Sequence, residues 1–166
     1  ASVRRYYREI KFNDTLENII QRLLVAGRTS ILVFTRFIEE AEYVARNCGA
    51  SAAVVSSDTS KADREAILRL FKQKKISVVA NVGVLTTGFE LSTVVLARPT
   101  MSLALYYQMC GRAIRPYKDK VSWVVDLCGN YKRFGRVDEL MMRQTKPGIW
   151  AVFSGYRQLT NVYFRK

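Results

Sequence analysis

Short apolar runs alternate with amphipathic segments over the first three quarters of the chain. Continuous apolar runs of this kind fill strands that are buried on both faces of a parallel sheet. They lie at 30–34, 51–55, 76–80, 93–97 and 121–125. The segments between them carry apolar residues at helical spacing. This spacing predicts helices from Asp14 to about Gly27, over 37–47, over 60–74 and from Thr100 to about Ile114.

Strands that alternate with helices so regularly predict an α/β fold, in which a parallel sheet carries helices on both faces. Ligands of such sheets bind at the carboxyl ends of the strands. The edge of the sheet that is expected to bind ligands, called the working edge below, is therefore formed by the loops after residues 34, 80, 97 and 125.

The alternation stops near Gly129. We predict a helix over 130–145, a turn at 146–148, and a hairpin or added strands over 149–153 and 160–164. The chain then divides into a leading segment (1–12), the α/β domain (13–128) and a small C-terminal extension (129–166).

The charge of the chain is strongly positive. Lys and Arg number 27 and Asp and Glu 14, a net charge of +13. The extension alone holds eight basic and two acidic residues, with seven of the nineteen aromatic residues. Basic charge interleaved with aromatic rings is typical of a nucleic-acid surface, and a solvated basic face over a small core is the alternative.

The location or role of several single residues near the last predicted strand can also be predicted. Trp123 is expected in the core, and Asp126 is expected to be structural. Asn130, Lys132 and Arg133 follow on the working edge, where they either contact phosphate or form solvated surface.

The residue inventory excludes several classes of protein. The chain has no histidine and only three widely spaced cysteines, which excludes histidine-dependent hydrolases and zinc sites built on CxxC pairs or on cysteine and histidine. The cysteines argue against a disulfide framework and fit a reducing cytoplasm. No apolar run approaches the ~20 residues of a membrane helix, so no membrane partner is expected.

The most specific segment is QMCGRAIRP at 108–116. Gln108, Arg112 and Arg115 lie at i, i+4 and i+7, which places them on one helical face. Two guanidinium groups on one face suit an anion such as phosphate, although an isolated pair of this kind usually forms surface ion pairs. Gly111 within a helix indicates that another group approaches the helix closely at that point.

A second segment, VLTTGFE at 84–90, directly follows a predicted buried strand. Gly88 would let the backbone approach a ligand, and threonine hydroxyls with backbone N–H groups can hold phosphate oxygens. Alone this segment is also compatible with an ordinary turn. Its combination with QxxGRxxR, about twenty residues later and beyond a further strand, is more specific.

These segments resemble motifs of the second RecA-like domain of superfamily 2 helicases and translocases. Phe34-Thr35-Arg36 resembles motif IV, TTGFE resembles motif V, and QMCGRAIRP resembles motif VI. The segment NVGVLTTGFE at 81–90, together with the downstream segments 98–100 and 126–130, is most similar to RadD-like and restriction-helicase-like DNA ATPases. The resemblance covers about residues 28–130 and implies a RecA-like fold.

The resemblance implies nucleotide contacts on this domain. Arg112 and Arg115 would be arginine fingers on the γ-phosphate of ATP held by a first RecA-like domain. Gln108 would position the phosphate or the attacking water, and Gly88 and Glu90 would face the nucleotide.

The resemblance also implies contacts to DNA, with RNA as an alternative. Thr35 and Arg36 would contact the nucleic-acid backbone. Thr86 and Thr87 would also contact the strand and would link strand binding to the nucleotide site. The motif V acid is usually aspartate, and Glu90 departs from that pattern with a longer side chain.

A phosphate-binding loop GxxxxGK[ST] and an Asp-Glu pair after a strand are both missing from the 166 residues. We therefore expect ATP and Mg²⁺ to be bound mainly by an N-terminal RecA-like domain outside this sequence, with residues 1–12 as the end of the linker. The isolated chain should have no ATPase activity. The expected location is the cytoplasm, with nucleoid association in a bacterium.

Two other functions are alternatives to the motor domain of an ATP-dependent helicase or translocase. A stand-alone nucleic-acid-binding module would need no partner domain. A Rossmann-type transferase would need a glycine-rich loop after the first strand, and residues 35–41 contain no glycine.

Overall fold

The computed structural model describes residues 2–83, 91–113 and 121–163. Five parallel strands form its main sheet, in the order β2-β3-β1-β4-β5. They are β1 (Ile31–Thr35), β2 (Ala52–Val55), β3 (Val78–Val82), β4 (Thr93–Ala97) and β5 (Trp123–Asp126). The predicted α/β class and parallel sheet are confirmed, and the strand bounds differ from the predicted ones by at most two residues.

Helices cover both faces of this sheet. They are α1 (Val3–Glu9), α2 (Phe12–Val25), α3 (Ile38–Cys48), α4 (Lys61–Lys72), α5 (Leu103–Cys110) and α6 (Asn130–Phe134). On β1, Ile31 and Val33 join a core with residues of α2 and α3, whereas Leu32 and Phe34 join a second core with residues of α4 and α5. Helices on both faces, as the apolar runs predicted, are thus confirmed.

The leading segment 1–12 is largely helical, because α1 occupies Val3–Glu9 and α2 already begins at Phe12. Lys11, between the two helices, has a left-handed backbone with φ of 50°. Tyr7 of α1 stacks on Phe12, with ring centroids 4.3 Å apart. The assignment of this segment to a linker stays a prediction.

The predicted helix over 130–145 is wrong. Helix α6 ends at Phe134 because Gly135 has φ of 80°, and a Cβ there would overlap the Ser154 hydroxyl. Leu140–Lys146 forms strand β6, which pairs antiparallel with β7 (Ile149–Ser154), and β7 pairs with β8 (Arg157–Tyr163). The predicted turn and added strands are confirmed, and they form a second, three-stranded sheet.

Trp123 is not a core residue as predicted. Because β5 is the edge strand, the indole is 43% exposed, and the Arg28 guanidinium lies 4.1 Å from its ring centroid. Arg28 also donates a hydrogen bond to the Val121 carbonyl at 2.8 Å. Within the described ranges, no helix has the length and apolar character needed to cross a bilayer.

Candidate nucleotide and nucleic-acid interface

The candidate site lies where the parallel strands end. β1, β4 and β5 run in the same direction, so residues after Thr35, Ala97 and Asp126 emerge at one edge of the sheet. This edge carries Arg36 after β1, and the loop after β4 leads from it to helix α5, which carries Gln108 and is followed by Arg112. We call it the strand-end rim.

A buried amide ties two loops of the strand-end rim together. The Asn130 side chain is 1% exposed, and its Oδ1 accepts from the Thr100 N–H at 2.9 Å. Its Nδ2 donates to the Arg98 carbonyl and to Asp126 Oδ1, each at 3.0 Å. Both expectations for Asn130, phosphate contact and solvated surface, are therefore wrong, because its polar atoms are used internally.

Asp126 has the structural role that was predicted for it. Its Oδ1 also accepts from the Cys128 N–H at 3.1 Å, and its Oδ2 accepts from the Tyr131 N–H at 2.7 Å. The carboxylate thereby satisfies backbone donors at the start of α6, where a negative charge also complements the helix dipole.

Arg36 is exposed at the rim, on a loop held by a buried carboxylate. Glu40 is 3% exposed, and its Oε2 accepts from the backbone N–H groups of Arg36 at 3.0 Å and Phe37 at 3.2 Å. Burial raises the pKa of Glu40, while these two donors oppose the shift. The Arg36 backbone is thus fixed while its guanidinium faces solvent.

Thr35 lies in a different environment from its neighbour Arg36. Its side chain is fully buried, and its hydroxyl donates to the Asn81 carbonyl on β3 at 3.4 Å. In this conformation the Thr35 side chain is not accessible to a nucleic acid.

Gln108 and Arg112 lie at the carboxyl end of α5. Gln108 is exposed, and its amide makes no hydrogen bond to the residues that the structure describes. Arg112 is half-buried, and its Nε is buried without a hydrogen-bond partner among those residues. Its guanidinium likewise forms no ion pair with them, so the described structure leaves the positive charge available for an external anion.

Gly111 is the C-cap of α5 rather than an interior residue of the helix. A Cβ at this position would lie 2.8 Å from the Tyr107 carbonyl oxygen. The group that approaches Gly111 closely is therefore the backbone of its own helix. This contact accounts for the glycine without any ligand.

Five of the predicted site residues lie outside the described residues: Thr86, Thr87, Gly88, Glu90 and Arg115. Of the predicted site residues, the structure therefore describes four, Thr35, Arg36, Gln108 and Arg112.

A second arginine lies beside Arg36, and sequence reasoning missed it. The guanidinium carbons of Arg4 and Arg36 lie 4.7 Å and 5.4 Å from the ring centroid of Phe37. Arg4 also approaches Glu39 at 3.7 Å. In the sequence, the signal for such a contact is limited to the basic and aromatic composition of residues 1–12. The contact itself arises from the tertiary packing of α1 against α2 and α3, which the sequence does not show.

The cysteines are free thiols with little nucleophilic character. Burial raises the pKa of Cys110 to about 12 and that of Cys128 to about 11. Both thiols are therefore protonated near neutral pH. Among the described residues, no cluster of three or more Cys, Asp or Glu side chains could hold a metal ion.

The family model for the helicase conserved C-terminal domain matches residues 12–117. The chain belongs to this family. This match and the ATP-dependent helicases among its relatives support a C-terminal domain of a superfamily 2 helicase, and the parallel five-stranded sheet is consistent with a RecA-like fold.

Individual relatives support the family assignment. The protein irc3 of Schizosaccharomyces pombe, named as a mitochondrial ATP-dependent helicase, is 32% identical over 115 residues, which cover 65% of this chain and 19% of that protein. A DEAD box protein from the hyperthermophile Methanococcus jannaschii has a TM-score of 0.56 and 27% identity, and the match covers 70% of this helicase domain and 34% of that chain.

A fragment named as an HsdR subunit of a type I restriction enzyme from Vibrio vulnificus shares the fold. Its TM-score is 0.63 at 22% identity, and the match covers 76% of this chain and 29% of that one. The helicase domain spans 11% to 29% of the lengths of the four curated relatives that it matches.

Proposed function

We propose that this domain is the C-terminal motor domain of an ATP-dependent DNA helicase or translocase. Arg112 and Arg115 act as arginine fingers toward ATP that an N-terminal RecA-like domain of the same protein binds with Mg²⁺. The strand-end rim supplies contacts to the nucleic-acid backbone. The domain's place in a helicase family and its lack of a phosphate-binding loop both support this division of labour.

The observation that carries the proposal is the state of Arg112. A half-buried guanidinium whose Nε finds no partner among the described residues loses hydration without an internal compensating charge. Such a group gains most from an anion that arrives from outside the domain. Guanidinium is planar and delocalised, so it matches the geometry of phosphate oxygens and stabilises charge that develops during phosphoryl transfer.

Gln108 extends the same surface, one helical turn before Arg112. Its exposed amide can donate to a phosphate oxygen or accept from a water molecule. ATP supplies the transferable phosphoryl group when it is bound by the other domain. Gln108 and Arg112 then orient it only when the two domains close, which couples turnover to domain movement.

The strand-end rim can transmit that movement to a bound strand. Arg36 stands on a loop whose backbone is fixed by Glu40, so its charge has a defined position at the end of β1. Backbone contacts of this type give affinity that falls steeply with salt and depends little on sequence. DNA is favoured by the similarity of NVGVLTTGFE to DNA ATPases, and RNA is the alternative to be tested.

The arginine-finger proposal is tested by ATPase assays on the full-length protein with DNA and RNA strands. Arg112→Ala and Arg115→Ala should each reduce the nucleic-acid-stimulated kcat by about 10³-fold or more, as arginine fingers do, with a smaller change in KM. Arg46→Ala, which removes an exposed arginine paired with Glu42, should leave kcat unchanged. Near wild-type rates in both finger variants would refute the assignment.

The same preparations separate a motor domain from a stand-alone binding module. A motor predicts weak nucleic-acid binding and no ATPase activity for the isolated domain. Tight binding by the isolated domain, together with unaffected ATPase activity in the Arg112 variant, would support the binding module instead.

The contact at Arg36 is tested separately by titrating a single strand across a range of salt concentrations. Arg36→Ala should weaken binding and reduce the slope of log K against log salt by about 0.7, the contribution of one phosphate contact. Arg46→Ala changes the net charge equally, but it should not change the slope. Equal slopes for wild type and Arg36→Ala would exclude a phosphate contact at this residue.

A further inference from the structure

A basic and aromatic surface lies outside residues 12–117, the span that matches the helicase family. It is formed by helix α6 and by the turn between β7 and β8. We define the α6–turn surface by Tyr131, Lys132, Arg133, Tyr156 and Arg157. All five residues are exposed.

Two aromatic rings on this surface contribute little to the core. Tyr156, in the turn, is 98% exposed, and Tyr131, on α6, is 56% exposed. A single exposed tyrosine needs no explanation. Two of them beside exposed cations form a combination that suits a ligand with both flat rings and negative charge.

The two parts of the α6–turn surface are joined by defined contacts. The Arg157 guanidinium donates to the Arg133 carbonyl at 2.6 Å and to the Lys132 carbonyl at 3.4 Å. These are carbonyls of the last turn of α6, where a cation also complements the helix dipole. Tyr131 and Tyr156 are the immediate chain neighbours of Lys132 and Arg157, so the backbone of each tyrosine lies next to this junction.

The positive charge of the α6–turn surface is not neutralised within the described residues. Lys132, Arg133 and Arg157 form no ion pair there, and Arg157 contacts only neutral carbonyls. Arg136, nearby, behaves differently, because it pairs with Asp138 at 2.7 Å and Glu139 at 3.3 Å. Three uncompensated cations therefore accompany the two exposed rings.

We propose that the α6–turn surface binds single-stranded nucleic acid. Tyr131 and Tyr156 stack on unpaired bases, and Lys132 and Arg133 contact phosphates, a combination typical of single-strand binding without sequence preference. Arg157 acts mainly as the positioning residue that fixes the turn against α6.

The position of this surface in the fold supports a single strand as the ligand. Helix α6 follows directly after β5, at the same strand ends as Arg36. In the order β1-β4-β5 the strands that lead to the two sites are two positions apart, which is roughly 10 Å between these strands at the usual spacing. A strand held at Arg36 can therefore continue onto α6. The inference rests on the proposed function to that extent.

The test measures binding of the full-length protein to dT and rU strands of about 20 nucleotides, and to an abasic strand with the same phosphates. Tyr131→Ala and Tyr156→Ala should each weaken binding to the base-bearing strands by about fivefold or more, as loss of one stacked base does. Binding to the abasic strand should change little. Tyr131→Phe and Tyr156→Phe should retain wild-type binding, because the ring rather than the hydroxyl stacks. Tyr107→Ala is the matched control, since Tyr107 is 55% exposed on α5.

Substitution of the cationic residues should change strand binding in a different way from substitution of the tyrosines. Lys132→Ala and Arg133→Ala keep the carbonyls that Arg157 contacts, so they remove charge and leave the junction intact. Each should weaken binding to all three strands and reduce the salt slope by about 0.7. Unchanged binding by both tyrosine-to-alanine variants would overturn the stacking role, and unchanged salt slopes would overturn the phosphate contacts.

Failure of this inference is distinguishable from failure of the proposed function. Normal single-strand binding by every α6–turn variant, with ATPase activity lost in Arg112→Ala, overturns only this surface. Weakened binding by the tyrosine-to-alanine variants, with ATPase activity retained in Arg112→Ala, overturns only the arginine-finger proposal.

Discussion

The side-chain oxygen of Asn130 accepts a hydrogen bond from the backbone N–H of Thr100, at 2.9 Å and across 30 residues of sequence. This bond joins the loop that follows β4 to the loop that follows β5. Thr100 in turn accepts from the Ser102 N–H, and the Ser102 hydroxyl caps the first turn of α5. Asn130 therefore helps to set the start of the helix that leads to Gln108 and Arg112.

Asn130→Ala should destabilise the domain by about 1–3 kcal/mol, because it leaves the buried Thr100 N–H without its acceptor and the Arg98 carbonyl without a donor. The free energy of unfolding in urea measures this change. Asn13→Ala, in the first turn of α2, is the control and should change stability by less than about 0.5 kcal/mol. Equal stabilities for the two variants would contradict the role assigned to Asn130.

Gly111→Ala should be destabilising although alanine is the better helix former. Replacing glycine where the backbone is compatible stabilises a protein by about 0.4–1 kcal/mol. Here the new Cβ would meet the Tyr107 carbonyl oxygen at 2.8 Å, so the backbone must shift. We expect a net loss of about 1 kcal/mol in urea denaturation. The shift should also reduce ATPase activity in the full-length protein by displacing the neighbouring Arg112. A gain in stability would show that the end of α5 has room for a side chain.

The stability contributed by Glu40 should depend on pH with a defined sign. Its pKa is raised in the folded state, mainly by burial, so the folded protein binds this proton more tightly than the unfolded chain. The contribution is therefore complete below the ordinary glutamate pKa and is lost as the pH rises through the raised value. Relative to Glu40→Gln, which stays neutral, the wild-type free energy of unfolding should fall as the pH rises from about 4 and then level off. Urea titrations of both proteins at several pH values measure this difference, and a rise with pH would contradict it.

Gly135→Ala should loosen the junction between α6 and the three-stranded sheet. The substitution combines a positive φ of 80° with overlap between the new Cβ and the Ser154 hydroxyl. Gly148→Ala is the matched control, since Gly148 has φ of 75° and no neighbouring atom within 4 Å of the position that a Cβ would take. Gly135→Ala should cost at least about 1 kcal/mol more than Gly148→Ala, and Ser154→Gly should recover part of the difference. Equal effects of the two alanine substitutions would indicate that only the backbone conformation matters.

Much of the α/β domain could be predicted from the sequence, because its strands are local apolar runs. The run 93–97 is observed as β4 without any shift, and the run 30–34 is displaced by one residue in β1. The shared helical face predicted for Gln108, Arg112 and Arg115 stays a prediction, because α5 ends at Cys110 and Arg115 lies outside the described residues. The internal uses of Asn130 and Gly111 could not be predicted, because their partners are identified only by the packed backbone.

The sequence by itself determined the succession of strands and helices in the α/β domain and its parallel sheet. Periodicity and local spacing carry that information within a few residues. Only the tertiary structure decided that β5 is the edge strand, which exposes Trp123, and that residues 140–146 form a strand. Met141 and Met142 suit a helix or a strand alone, and pairing with Phe153 and Val152 of β7 selects the strand. Strand order and pairing depend on contacts between distant parts of the chain, and such contacts exist only once the chain has folded.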